Sequence, residues 1–525
     1  MLECTSRCRT NHIATCPFIC EFSIQRTLSM PKKINHQYGT KKLFILRLLL
    51  LSVGQILLWQ SNISIAEESI WYRTNDPLNT EAQLPPAIPE GFSENTACNA
   101  RTYDQALTLA DVAEAALCNN PQTRSAYASA RVQAAQLGIA KSAYFPTVND
   151  NVSANLNVAL PEQIARNNPY SNLSNNIVAS YLLYDFGNRD ANLENARQLL
   201  FAASATQNSV VQTVLLSAIQ AYYQTQANAA ALEAAITSEH ASEESFKAAE
   251  ARYKAGVSTP ADKLQAQTLW AQNTLSRISA EGALKTAYGT LANVMGLEAN
   301  QSVKLAASSS IQPGQHITED INALIEQARV RRPDLLASEA QLKAAQASID
   351  ANRAATKPTV SVALSNNLQD GSQVAFGSNS SLGVTVSIPI FAGYGPTYKI
   401  RSAEASADLR ATQRDQLKLQ ISLDVWRAYQ NLRTANESIV AANALVSSAT
   451  ESSLVALGRY KAGVGNIIDA INAQSALASA RQQQVQATLN WNIARATLAQ
   501  SIGGLDYAMI QSLPAGARPT SAVEK

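Results

Sequence analysis

Apolar positions recur at helical spacing from Thr108, with Leu109, Val112, Ala116 and Leu117 on one face, pause at Asn120-Pro121, and resume to Lys141. After Pro146 the period drops to two. Val148, Val152, Ala154, Leu156, Val158 and Leu160 alternate with Thr147, Asn149, Asn151, Ser153, Asn155 and Asn157; Asp150 is the one misfit. A second run sets Ile177, Ala179, Tyr181 and Leu183 against Asn176 and Ser180, with Val178 and Leu182 blurring the polar side. Helical spacing then returns over Asn188 to Ala255, followed by a shorter helix over Pro260 to Met295. The whole succession recurs. Ile321 to Arg332, Pro333 and on to Arg353 read as helix; Val360, Val362 and Leu364, then Leu382, Val384, Val386, Ile388 and Ile390, read as strands. Thr397 to Ala462 and Ile467 to Ile502 read as helices.

The duplication is explicit at Arg-Tyr-Lys-Ala-Gly, which stands at Arg252 to Gly256 and again at Arg459 to Gly463. Val257 and Val464, Asp262 and Asp469, Ala266-Gln267 and Ala473-Gln474, and Gly296 and Gly503 share the same offset of 207, so a structural unit is repeated. Each phrase predicts a helix end. Lys254 and Lys461 suit the negative end of the helix dipole, and Gly256 and Gly463 suit a left-handed C-cap. Thr259 with Pro260, and Asn466, then start the return helices, with Asp262 and Asp469 three residues into the cap. Both phrases therefore form tips of antiparallel helical hairpins. At about 1.5 Å per residue the long helices run roughly 100 Å and must pack side by side. Leu284, Ala287, Leu291 and Val294 carry coiled-coil spacing, and Ile219 with Tyr222, recurring as Trp426 and Tyr429, is expected in a core seam.

The strand runs have the length of tilted membrane strands, about ten residues, and the apolar and Asn/Ser sides suit lipid and water. Tyr144, Phe145, Tyr184, Phe186, Phe391 and Tyr394 collect where strands meet helices, as an interfacial girdle does. Four strands cannot close a barrel, and open edges in lipid leave backbone groups unsatisfied at several kcal/mol each, so subunits must share one barrel.

Charged residues make up 16%, against about 25% in ordinary soluble proteins. The net charge of +2 offers no field for nucleic acid. Lys41-Lys42, the apolar run Leu43 to Leu58 and Ser64-Ile65-Ala66 read as a signal peptide, placing the mature start near Glu67; Met30 would be a more usual first residue. No cysteine follows the cleavage site, so no lipid anchor is expected there. Cys98 and Cys118 remain in the mature chain and, in an exported protein, favour a disulfide over two free thiols. His240 and His316 sit in different contexts, so no metal cluster, and no cofactor site, is expected. No phosphate loop, nucleophile elbow or Cys/His pairing is present, which argues against an enzyme.

Duplicated halves of helix, β-hairpin, very long helix, tip and return helix resemble the TolC family of outer-membrane channels over about Arg101 to Leu505. The paired tips with Asp262 and Asp469, and Ala-Leu-Cys-Asn-Asn-Pro at Ala116 to Pro121, are its most specific carriers. The resemblance implies a mainly α fold with a β-barrel portion. A homotrimer would set a twelve-stranded barrel in outer-membrane lipid on a twelve-helix periplasmic tunnel. It implies two partners, a periplasmic adaptor (membrane fusion protein) and an inner-membrane transporter of the ABC or RND type. Carried over, Arg252, Tyr253, Lys254, Gly256, Val257, Arg459, Lys461, Gly463 and Val464 would meet the adaptor. Asp469 would ring the constriction and favour cations, while Asp262 and Tyr460 would belong to the network holding the entrance shut. Two positions depart from the pattern: Gly465 stands where a basic residue is expected and Asn472 where a second acidic ring is expected, so fewer charges would latch this entrance.

The resulting expectation is a passive export duct. It comprises a presequence (1–66), an extended arm (67–100), repeat one (101–300), a connector (301–317), repeat two (318–505) and a tail (506–525). The alternative is a periplasmic coiled-coil adaptor or scaffold, a class that lacks four alternating strands.

Overall fold

The structure is a computed structural model that describes residues 76–86, 106–157, 170–301, 303–306, 320–372 and 375–506. The presequence, Cys98, His316, Val158 to Pro169 and the tail beyond Asp506 lie outside the described residues.

Two copies of one plan follow each other. The first is α1 (Leu109–Asn119), α2 (Pro121–Ser142), β1 (Thr147–Asn157), β2 (Tyr170–Tyr184), α3 (Asn188–Lys254) and α4 (Pro260–Val294). The second is α5 (Ile321–Arg331), α6 (Pro333–Ala354), β3 (Thr359–Gly371), β4 (Gly377–Ser387), α7 (Gly395–Lys461) and α8 (Ile467–Ser501). Equivalent helices match in length at 11, 22, 67 and 35 residues. Proline sets the junctions, since Pro121 and Pro333 stand first in their helices, where a missing N–H costs nothing.

The hairpins join into one antiparallel sheet in the order β1-β2-β3-β4. Strand bounds differ from the expected alternation where polar residues carry no signal: β2 begins at Tyr170 and β4 at Gly377. β4 stops at Ser387, short of Ile388 and Ile390, because Pro389 has no N–H to give the ladder. A bulge between Leu182 and Tyr184 places Tyr184 opposite Val360, so Tyr184 joins the face of Tyr181 and Leu183 becomes the extra residue.

Helix adjacency gives the lateral order. Near the tips it is α4-α3-α8-α7; near the sheet it is α2-α3-α6-α7. The largest core lies between these zones, where Leu109, Val112 and Ala116 of α1 meet Val214, Leu215, Ala218, Ile219 and Tyr222 of α3 and Leu291 of α4. Its second-copy counterpart packs Leu324, Ala328 and Leu335 on Ile421 and Val425 of α7. Trp426 corrects the expected seam: it is 49% exposed, because Ile421, Val425, Ala428 and Leu432 turn their own stripe inward and leave its neighbour out.

Gly296 and Gly503, both at φ +73°, close the return helices against the α1–α2 and α5–α6 junctions. A Cβ on Gly296 would sit 2.5 Å from the carbonyl carbon of Asn119, whereas a Cβ on Gly256, at φ +74°, would meet nothing within 4 Å. Gly256→Ala is therefore expected to cost about 1–2 kcal/mol of backbone strain alone. Gly296→Ala adds overpacking of about 1–3 kcal/mol. Thermal unfolding of both variants should show the larger drop for Gly296→Ala; equal drops would refute the packing argument.

Candidate functional site

The two tips are built alike. Val257 N–H donates to the Arg252 carbonyl and Gly256 N–H to the Tyr253 carbonyl, both at 3.0 Å; Val464 and Gly463 repeat this on Arg459 and Tyr460, again at 3.0 Å. With Gly256 at φ +74° and Gly463 at +80°, these are Schellman ends that return the chain on itself. The outgoing helices are capped differently. Thr259 and Asp262 form a reciprocal capping box, the Asp262 carboxylate accepting from Thr259 N–H at 3.1 Å, while the Asn466 side chain accepts from Ile468 N–H at 3.1 Å.

Arg252 joins one tip to the other. Its Nη1 donates to the Tyr460 carbonyl at 3.1 Å and its guanidinium carbon lies 5.1 Å from the centroid of the Tyr460 ring. Tyr460 is 3% exposed and packs with Ile467 and Ala470 against Ala248 of α3. Its hydroxyl has no hydrogen-bond partner among the described residues. Burial pushes that hydroxyl above the ordinary phenol range; the Arg252 charge opposes the shift and the Asp262 charge adds to it. Nearby, Gln474 of α8 donates to Ser245 Oγ of α3 at 2.8 Å, a second tie between the hairpins. Between α3 and α4, Glu250 binds Lys263 at 3.0 Å and, within α3, Lys254 at 3.4 Å, and the bond to Lys263, ahead of that to Lys254, holds its carboxyl below the usual range. Lys263 also lies 5.9 Å from the Tyr253 ring centroid.

The sequence-predicted residues thus separate into groups. Arg252, Tyr460 and Gly463 come together, with a Cβ on Gly463 falling 3.7 Å from Arg252 Nη1. Asp262 is occupied by its own cap, and no bond joins it to Tyr460 among the described residues. Asp469 and Asn472 stand exposed one turn apart on α8; Lys254, Arg459 and Lys461 are exposed as well. Val257 and Val464, 63% and 70% exposed, crown the two tips. At Gly465 a Cβ would lie 3.0 Å from the carbonyl carbon of Arg459, so the backbone crowds the position where a basic residue was expected. Cys118 is disulfide-bonded, while Cys98 is outside the described residues. The role of Arg252 in linking the tips had no sequence signal, since Arg459 repeats the same motif without making the same contact.

At the other end, strand register sorts the sheet into two faces. Val148, Ala179, Leu364 and Leu382 share one level, Tyr181, Val362 and Val384 the next, and Val360 and Val386 the next. Asp150 pairs in line with Ile177, Asn366 and Ser380, so this misfit lies where the apolar band ends. The opposite face stacks Thr147, Ser180, Ala363 and Gly383; then Asn149, Val178, Ser365 and Ser381; then Asn151, Asn176, Asn367 and Asn379. Exposed rings border the band on its helical side, with Tyr184 against Phe186 at 4.7 Å and Phe391 against Tyr394 at 5.7 Å.

The sequence profile of the family described as outer membrane efflux protein matches residues 112–297 and 324–504. Protein CyaE of Bordetella pertussis is 30% identical over 386 residues, covering 72% of this chain and 80% of its own. Outer membrane efflux protein BepC of Brucella suis is 25% identical over 402 residues, covering 75% and 85%. Among solved structures, CusC, whose crystal structures concern folding and transmembrane channel formation, superposes with a TM-score of 0.67 at 21% identity, over 80% of this chain and 98% of that one.

Proposed function

This chain belongs to the outer membrane efflux protein family, and from that premise we propose that three copies of it close a single passive duct. It is an outer-membrane channel of an export system, mainly helical with a small sheet. Such channels are the outer-membrane components of efflux or secretion systems, which implies adaptor and inner-membrane transporter partners. The family is one of channels, and we read this member as having no catalytic step.

The observation that carries the reading is a four-stranded sheet with one apolar face, one polar face and, among the described residues, two unpaired edges, β1 and β4. In lipid such edges must be paired by further copies. The helices agree. The two edge helices of the lower layer carry exposed apolar residues: Leu264, Leu275 and Ile278 on α4, and Val440, Leu454 and Val455 on α7. Opposite edges that differ in composition suit a head-to-tail ring, in which the α4 edge of one copy meets the α7 edge of the next. Native mass spectrometry of the detergent-extracted protein should give three chains, and a monomer or a dimer would overturn the ring.

In this ring the tips face the periplasm and, with Val257 and Val464 outermost, form the adaptor contact. The transporter beneath, of the ABC or RND type, supplies the energy. Asp469 carries the charge of the entrance, three carboxylates in one ring with no second acidic level at Asn472. Asp469→Ala should therefore weaken cation preference in planar bilayers by reversal potential; an unchanged potential would remove Asp469 from the constriction.

A further inference from the structure

The polar face of the sheet holds no Asp, Glu, Lys or Arg among the described strand residues; both strand carboxylates, Asp150 and Asp370, lie on the opposite face, in line with Ile177 and Leu173. Every strand contributes asparagine at one level: Asn151 pairs with Asn176, Asn176 with Asn367, and Asn367 with Asn379. The neighbouring hydroxyl levels largely satisfy themselves, through Thr147 with Ser180 at 2.8 Å, Ser153 with Ser174 at 2.8 Å and Ser365 with Ser381 at 2.7 Å. The four amides differ, since none is engaged by another side chain among the described residues.

We propose that Asn151, Asn176, Asn367 and Asn379 form a charge-indifferent hydrogen-bonding station for extended polypeptide passing through the barrel. The proposal rests on the duct reading, which turns this face to the lumen. An asparagine amide offers two donors and an accepting oxygen, the complement of a peptide group's N–H and C=O. A wall without charge neither traps nor repels the mixed acidic and basic side chains of a polypeptide, because a fixed charge in a low-dielectric wall biases every passing ion of one sign. Charge discrimination is then left to the Asp469 level at the far end. The station repeats in each copy, so three copies surround the cargo with amides at one height.

The test uses the full-length channel in planar bilayers, with unstructured Gly/Ser-rich peptides of net positive and net negative charge added on the extracellular side. The wild type should be blocked by both with dwell times within about twofold of each other. Changing all four asparagines to alanine should shorten both dwell times roughly tenfold, the loss of one or two ordinary hydrogen bonds. Should that variant fail to assemble, Asn367→Asp is expected to lengthen blockade by the positive peptide only. Asn366→Asp, on the opposite face, should change neither. Dwell times that differ tenfold by peptide charge in the wild type, that are unmoved by the alanine changes, or that respond equally to Asn367→Asp and Asn366→Asp, would overturn the station. Blockade by maltoheptaose but by neither peptide would overturn the choice of polypeptide. A protein that conducts no ions at all would instead refute the duct.

Discussion

An Arg252→Ala channel in a planar bilayer is expected to open at least tenfold more often than the wild type. The guanidinium is the charged tie between the two tips of one chain, donating to the Tyr460 carbonyl at 3.1 Å and stacking on the ring at 5.1 Å. A hydrogen bond to a charged group is worth about 1.5–3 kcal/mol and a cation–π contact about 0.5–2 kcal/mol. Either alone reaches or approaches the roughly 1.4 kcal/mol that shifts an equilibrium tenfold, and the tie recurs in every copy. Arg459→Ala serves as the control, since that side chain is exposed at the equivalent place in the second tip. Tyr460→Phe should gate like the wild type, because it keeps the carbonyl and the ring and loses only a hydroxyl with no partner among the described residues. Tyr460→Ala should open the entrance. Wild-type opening in Arg252→Ala, or wide opening in Tyr460→Phe, would show that the entrance is latched elsewhere.

The second large effect is expected from two adjacent residues on opposite faces of β4. Val386 pairs with Val360 in the apolar band, which continues through Ile388 and Ile390 toward the helices and through Val384 and Leu382 away from them. Val386→Arg places a guanidinium in the middle of that band, at a cost of about 2–4 kcal/mol in each copy. Oligomer recovered from outer membranes should fall sharply. Thr385→Arg points into the water-filled lumen beside Ser361, so assembly should survive while the reversal potential moves toward anions. If Thr385→Arg abolishes assembly and Val386→Arg is tolerated, the two faces have been assigned the wrong way round.

Much of the candidate site was legible because its parts are local. A Schellman end needs only a glycine one residue past the C-cap, and a capping box needs Thr259 and Asp262 three apart, so both follow from neighbouring residues. The polar and apolar strand sides were legible for the same reason. What was not legible was partnership. Asp262 and Tyr460 were expected in one network, but the carboxylate is taken up by its own cap and the tyrosine is held instead by Arg252 from across the gap. Trp426 was expected in a seam because it recurs at the place of Ile219, yet only the stripe common to both copies, Val214-Ala218-Ala221 and Ile421-Val425-Ala428, is buried in each. The first copy also buries the neighbouring Ile219 and Tyr222 because α3 has helices packed on both sides, whereas α7 is an edge helix and leaves Trp426 out, a difference in the width of the buried face that depends on what packs against the helix.

By itself, then, the sequence determined the duplicated plan, the helix and strand types and the tip geometry. Each of these depends on periodicity or on proline and glycine positions. Only the tertiary structure decided which side chains meet across elements. Cross-strand register put four asparagines on one level, the packing of the hairpins brought Arg252 over Tyr460, and the backbone of Arg459 came to crowd Gly465. Those contacts join residues far apart in the chain, and their register is set by side-chain packing summed along whole elements, a quantity that no short stretch of sequence contains.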